Sequence, residues 1–292
     1  MTLAFEPISL EKQQPYRERL KNSLWEASDY SFINLWGWAR EYGLEWAWDD
    51  DLVWIRQSWP TELFWAPVGK WEQADWADRL RDRFSENSIV MRVPEPLIRH
   101  WKHALKDRIA VTATEEHWDY LYSVQDLIEL KGNRYHKKKN LLNQFLRKYD
   151  HAYQTLTPDL IHHALEMQED WCVWRDCESD ETLASENRAI SRVMAYWDDL
   201  DGIFGGAVIV EDEMAAFTVA EQMNDETVLI HFEKGIAEYK GIYQAVNQMF
   251  LAHNPHLQRV NREQDMGEEG LRKSKRSYHP VDFVRKYKVT FA

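Results

Sequence analysis

The chain has 292 residues, 44% hydrophobic and 13% aromatic, which excludes disorder and suits two domains of about 120–150 residues each. A net charge of −13 argues against bulk binding to nucleic acid, so no DNA partner is expected, and any phosphate contact has to come from a local basic segment. No stretch approaches the roughly 20 apolar residues needed to cross a bilayer, and the opening MTLAFEPISLEKQQPYRERL has no signal core, so a cytoplasmic protein without a transmembrane segment is expected.

In chain order, helical patterning covers residues 10–25 and 30–42. Alternating aromatic runs follow, LEWAWD, LVWIRQS and ELFWAPVG, with Asp49-Asp50-Asp51 marking a hairpin between the first two. WEQADWADRLRDRF then reads as a helix, SIVMRVP as a strand, PLIRHWKHAL as a short helix and VTATEEHWDYLYSV as strand-like. The second half repeats this order. HAYQTLT is a strand, residues 159–175 and 183–197 are helices, and GIFGGAVIVE, MAAFTVAEQ and ETVLIHFEKG are strands. Ile242, Val246, Met249 and Phe250 mark one face of a helix, followed by strand-like QRVNREQD, a short helix GEEGLRKSKRSY and a final strand-like VDFVRKYKVTF. Cys172 and Cys177, five apart in a helix-like run, read as packing thiols.

The repeated order predicts an α/β (α+β) chain with two tandem acetyltransferase-like domains, mixed sheets flanked by helices. The expected bounds are 1–128 and 151–292, joined by a basic linking helix over 129–150.

Four segments together, ASDYSFINLWGW at 27–38, LKGNRYHKKKNLLNQF at 130–145, HFEKG at 231–235 and VNREQDMGEEGLRKSKRSYHP at 260–280, give the chain a family resemblance. It resembles a bacterial family that pairs two acetyltransferase-like domains and is related to the C-terminal catalytic region of phosphatidylglycerol lysyltransferases. More distantly it is similar to the peptidoglycan-bridge aminoacyltransferases. The resemblance implies transfer of an aminoacyl or other acyl group to an amine or hydroxyl acceptor, with aminoacyl-tRNA or acyl-CoA as the donor. Two alternatives stay open: a CoA-dependent N-acetyltransferase, and a ligand-binding protein that keeps the fold without catalysis.

Residues 131–148 carry seven basic and no acidic side chains. As a helix, Tyr135, Leu142, Leu146 and Tyr149 share a docking face, while His136, Lys137, Arg147 and Lys148 project outward and Lys138 and Lys139 border the buried side. Arg134, Lys137 and Lys138 are candidates to bind an anionic donor; a solvated linker helix is the competing reading. Lys273, Lys275 and Arg276 form a second basic block after Gly267-Glu268-Glu269-Gly270, with surface charge as the alternative. Alternation places His231 and Glu233 on one strand face, and Asn261, Glu263 and Asp265 on one face of the next. In the acetyltransferase layout these strands separate at one end, where a half-buried carboxylate can act as a base. Glu263 and Asp265 are the preferred catalytic candidates, with Glu233 and His231 beside them and Asn261 binding substrate; structural salt bridges to Arg262, Lys273 or Arg276 are the alternative. Trp36, with Trp38, either lines a ligand cleft or packs in the core.

Acetyltransferases of this fold cradle the CoA pyrophosphate in a glycine-rich loop. Here that place reads KGIAEYKGIYQAV, with Gly235 and Gly241 but Tyr243 where a small residue is needed, which disfavours ordinary CoA chemistry. No HExxH, paired CxxC, Walker loop or Gly-x-Ser-x-Gly occurs, so no metal site is expected.

Overall fold

Apolar alternation and helical periodicity become strands and helices close to the expected bounds. The computed structural model describes residues 3–23, 26–81 and 83–292. Its helices are α1 (Gln13–Lys21), α2 (Phe32–Tyr42), α3 (Trp76–Arg81), α4 (Glu95–Leu105), α5 (Val124–Glu129), α6 (His136–Lys148), α7 (Pro158–Arg175), α8 (Glu181–Ala195), α9 (Ile242–Ala252) and α10 (Glu269–Arg276). The first seven strands are β1 (Glu6–Pro7), β2 (Glu45–Asp49), β3 (Leu52–Gln57), β4 (Leu63–Gly69), β5 (Ile89–Pro94), β6 (Ile109–Ala113) and β7 (Asp119–Ser123). The rest are β8 (His151–Thr155), β9 (Ile203–Val210), β10 (Glu213–Gln222), β11 (Thr227–Gly235), β12 (Arg259–Asn261), β13 (Asp282–Val284) and β14 (Lys286–Phe291). The end of the first expected helix, Leu24 and Trp25, and Asp82 of the third lie outside the described residues.

The strands form two mixed sheets, ordered β1-β2-β3-β4-β5-β14-β6 and β13-β7-β12-β11-β10-β9-β8. The chain divides into two compact units. The first comprises Met1–Asp119, Gln264–Glu269 and Phe283–Ala292, and the second Tyr120–Glu263 and Gly270–Asp282. These differ from the contiguous halves read from the sequence. VTATEEHWDYLYSV holds not one strand but two, interrupted by a 3-10 turn at Glu115–His117, and β6 and β7 enter different sheets. VDFVRKYKVTF likewise splits into β13 and β14, one for each sheet. Helix α6 belongs to the second unit and packs on α9, so it is not a linker.

In the first unit, the C-terminal strand β14 is held by buried charges. The Lys286 ammonium, fully buried, bonds to Asp29 and, at 2.6 Å, to Asp119, and both carboxylates are themselves fully buried. Arg92 supplies the second cation, paired with Asp29. Asp119 also accepts from the Ser28 amide at 2.7 Å and hydroxyl at 2.9 Å. Burial pushes the Asp29 carboxyl up, but Lys286 and Arg92 outweigh it and hold it well below the usual range. The Lys286 carbonyl accepts from Thr114 Oγ1 and Trp118 Nε1, each at 2.9 Å. Two anions thus face two cations, the condition under which a buried network is tolerated. The ASDYSFINLWGW segment is therefore structural. Besides Ser28 and Asp29, it supplies Tyr30, whose hydroxyl donates to the Arg92 carbonyl at 3.0 Å, and Ser31, whose hydroxyl caps α2 through the Asn34 amide. Trp36 is buried on α2.

In the second unit, α7 and α9 cover opposite faces of the sheet. Lys234 of β11 lies 4.0 Å from the Trp171 ring of α7, while its neighbours turn to α9: Glu233 accepts from Asn247, and a Cβ on Gly235 would sit 3.2 Å from Ile242. Cys172 and Cys177, expected as separate thiols, are joined in a disulfide. The reason is local: Asp176, with φ of +53°, reverses the chain after α7 and brings the two Cα atoms to 5.1 Å.

Replacing Lys286 by Met leaves Asp29 and Asp119 buried with one cation between them. Urea denaturation is expected to show a loss of about 3–5 kcal/mol. Lys288→Met, away from the network, is expected to change stability by about 0.5 kcal/mol or less.

Candidate functional site

The second unit's sheet opens at one end. Parallel strands β11 and β12 pair only over three positions, Thr227–Leu229 with Arg259–Asn261, and β11 then continues alone to Gly235. Beyond the last pair the chain leaves extended conformation. The Asn261 side chain accepts from the Glu263 amide at 2.8 Å, and Glu263 adopts a left-handed φ of +55°. A non-glycine residue there is uncommon and needs such support. Where pairing stops, His231 and Glu233 of β11 meet Arg262 and Glu263.

A bulge decides which group meets which. On β10, Val219 pairs with Phe232 and the next residue, Ala220, with Ile230, so His231 is the extra residue. Plain alternation would put His231 beside Glu233. Instead its ring lies between two other carboxylates, with Nε2 3.5 Å from Glu221 of β10 and Nδ1–H donating to Glu263 Oε1 at 3.3 Å. The imidazole is fully buried, whereas the Glu263 side chain keeps 21% exposure. Burial works against the charged ring, but the hydrogen bonds to Glu221 and Glu263 outweigh it and raise the His231 pKa to about 9. His231 is therefore an imidazolium at neutral pH.

Glu233 is held separately, by Arg262 Nη2 at 2.8 Å and Asn247 Nδ2 at 3.1 Å. Arg262 lies against two rings, 5.1 Å from Tyr278 and 5.9 Å from Tyr122. Lys138 of α6 stands over the same Tyr278 ring at 3.9 Å. Burial, with repulsion from Arg262, lowers its pKa to about 8. The Gln244 side chain of α9 donates to the Tyr278 hydroxyl at 2.9 Å.

The expected site residues thus separate into groups. His231, Glu233, Asn261, Glu263 and Lys138 gather at the open end of β11 and β12. Asp265 does not share a strand face with Glu263, because β12 ends at Asn261. It lies in the first unit, buried, and accepts from the Gly267 amide at 2.9 Å. Trp36 is also in the first unit, in its core. Lys275 turns inward: its ammonium bonds to the carbonyl of Arg262 and, at 3.2 Å, to that of Glu263. Arg134 pairs with Asp126 at 2.8 Å, and Lys137, Lys273 and Arg276 are exposed. Leu146, expected on the docking face of α6, is 40% exposed, and Phe145 is buried in its place. Glu221, Asn247 and Tyr278 were missed because each is distant in sequence from the groups it meets; Arg262, expected opposite Glu263 or Asp265, pairs with Glu233.

Gly241 opens α9 with φ of +95°, and a Cβ there would lie 2.3 Å from the Leu141 carbonyl of α6. Close packing of α6 accounts for this glycine without a phosphate. Among the described residues, no cluster of three or more His, Cys, Asp or Glu side chains could hold a metal ion, and no helix is long and apolar enough to cross a membrane.

Two mixed sheets flanked by helices, with a split parallel pair, define a tandem acetyltransferase-like fold. The chain belongs to the family described as phosphatidylglycerol lysyltransferase, C-terminal, which matches residues 22–290; family and fold are those of acyltransferases. A conserved protein of unknown function from Bacteroides thetaiotaomicron is similar over 100% of both chains, with 29% identity and a TM-score of 0.90. L-PGS from Bacillus licheniformis shares the fold with a TM-score of 0.65 and 11% identity, over 98% of this chain and 93% of that one. An uncharacterized protein of Mycoplasmoides gallisepticum is 25% identical over 178 residues, 60% of this chain and only 56% of that relative.

The His231 imidazolium makes stability depend on pH. Its folded pKa is raised above the unfolded value, so its contribution is complete below about pH 6.5 and lost as pH rises through about 9. Denaturation across this window should show a decline on the order of 3 kcal/mol. In His231→Gln that segment of the slope should vanish; equal slopes in both proteins would contradict the assignment.

Proposed function

We propose that the chain transfers an aminoacyl group from an anionic ester donor of the aminoacyl-tRNA class to an amine or hydroxyl acceptor. The site would be the open end of β11 and β12. The observation that carries this reading is the buried line Glu221–His231–Glu263, whose only partly exposed member is Glu263. An aminoacyl ester is already activated, so transfer mainly requires placing the nucleophile, removing its proton and steadying the oxyanion. The nucleophile would attack the ester carbonyl carbon and form the new C–N or C–O bond. Its proton would pass to Glu263, the ester C–O bond would break, and the departing hydroxyl oxygen would take up the proton that Glu263 received. His231 positions Glu263 and stabilises its charge. Asp265 no longer belongs in this scheme, since it serves a turn in the first unit.

Donor phosphates would meet the exposed basic face of α6, made by His136, Lys137, Arg147 and Lys148. Non-specific phosphate contacts of this kind weaken as salt rises. The CoA alternative is disfavoured by α6 occupying the space around Gly241.

Lysyl-tRNA carrying labelled lysine, supplied with phosphatidylglycerol vesicles or with a small soluble amine, tests the reading. Label is expected to leave tRNA and enter one acceptor in a protein-dependent way. Glu263→Gln should lower that rate by about 100-fold or more at a temperature where the variant is still folded, with some loss of stability because His231 loses one of its two carboxylates. Salt-sensitive binding of lysyl-tRNA without turnover would instead mark a binding protein. The absence of both binding and transfer would overturn the proposal.

A further inference from the structure

Lys138 stands on α6 over the Tyr278 ring. It is half-buried, and no carboxylate of the described residues lies within ion-pair distance of it. Glu233 is shared between Arg262 and Asn247, and its side chain is only 8% exposed. Arg262 is itself a half-buried cation beside the same Tyr278 ring. Two cations therefore lie against one ring, and the one carboxylate shown beside them pairs with Arg262, leaving an excess of one positive charge in a partly desolvated place.

We infer that Lys138 and Arg262, with Tyr278 as the floor, form a subsite for one phosphate-type oxyanion. An ammonium is a compact charge with three donors and suits a tetrahedral oxyanion approached from several directions. A bound dianion or monoanion would offset the excess charge and accept from the Lys138 ammonium. The Gln244–Tyr278 hydrogen bond fixes the ring over which the ammonium stands. Burial and Arg262 both disfavour the charged form of Lys138, and a bound oxyanion would oppose both. This inference does not depend on acyl transfer, and its readout needs no turnover.

The test is a titration of the lysine side chains themselves. Lysines are dimethylated with a carbon-13 label, the Lys138 signal is assigned by its loss in Lys138→Arg, and midpoints are followed in chloride. The Lys138 midpoint is expected at about 8 in chloride. Inorganic phosphate at about ten times its Kd, at matched ionic strength, should raise it by about one pH unit, while the exposed Lys137 does not move. Acetate at the same concentration should have a smaller effect. As a second measurement, phosphate should raise the unfolding temperature of the parent protein but not of Lys138→Gln. The subsite is overturned by an unmoved Lys138 midpoint in phosphate, by an equal shift at Lys137, or by acetate acting where phosphate does not.

Discussion

The Lys286 ammonium touches both Asp29 and Asp119, and that contact determines where the last strand of the chain can lie. An ammonium with no exposed surface cannot leave two buried carboxylates without stranding them, so β14 is pinned between β5 and β6. Chain continuity then dictates the rest. Residues 264–269 and 283–292 belong to the first unit, and residues 270–282, carrying α10 and Tyr278, to the second. Glu263 sits at the first of these crossings, which accounts for its left-handed backbone. Strand β12 has to end at Asn261 for the chain to turn there.

That early ending is what creates the site. Were β12 as long as β11, backbone hydrogen bonds would close the sheet beside His231 and Glu233. With only three paired positions, side chains take over, and the unit neutralises them in sets: Glu233 with Arg262, and Glu221 and Glu263 around His231. Desolvated charges interact more strongly than exposed ones, so small rearrangements here have large effects on proton affinity. The family membership gives the class of chemistry, and this set of charges is where we propose that it takes place.

Much of this was legible in the sequence. Alternation in LEWAWD, LVWIRQS, GIFGGAVIVE and MAAFTVAEQ located central strands, and the acidic turns located hairpins. The gathering of His231, Glu233 and Glu263 followed from adjacent strands of a familiar layout. What escaped was non-local or depended on a single residue's backbone. Alternation says which side chains share a face, not which sheet a strand joins, so β6 and β7 read as one strand, as did β13 and β14. A one-residue bulge at His231 leaves no trace in the pattern yet redirects the ring to Glu221. The alternation assumed for Asp265 failed because the strand stopped four residues earlier. Nothing local couples Lys138 to Tyr278, 140 positions on.

The central claim is that acyl transfer belongs at the open end of β11 and β12. A non-hydrolysable lysyl-adenosine analogue, amide-linked and carrying a photoreactive group on the lysine, tests it directly. After irradiation and digestion, labelled peptides are predicted from residues 227–235 and 262–278, with labelling reduced by excess lysyl-tRNA. Labelling confined to other segments, such as the surface groove lined by Trp71, Trp76, Arg99 and His103 in the first unit, would contradict the account.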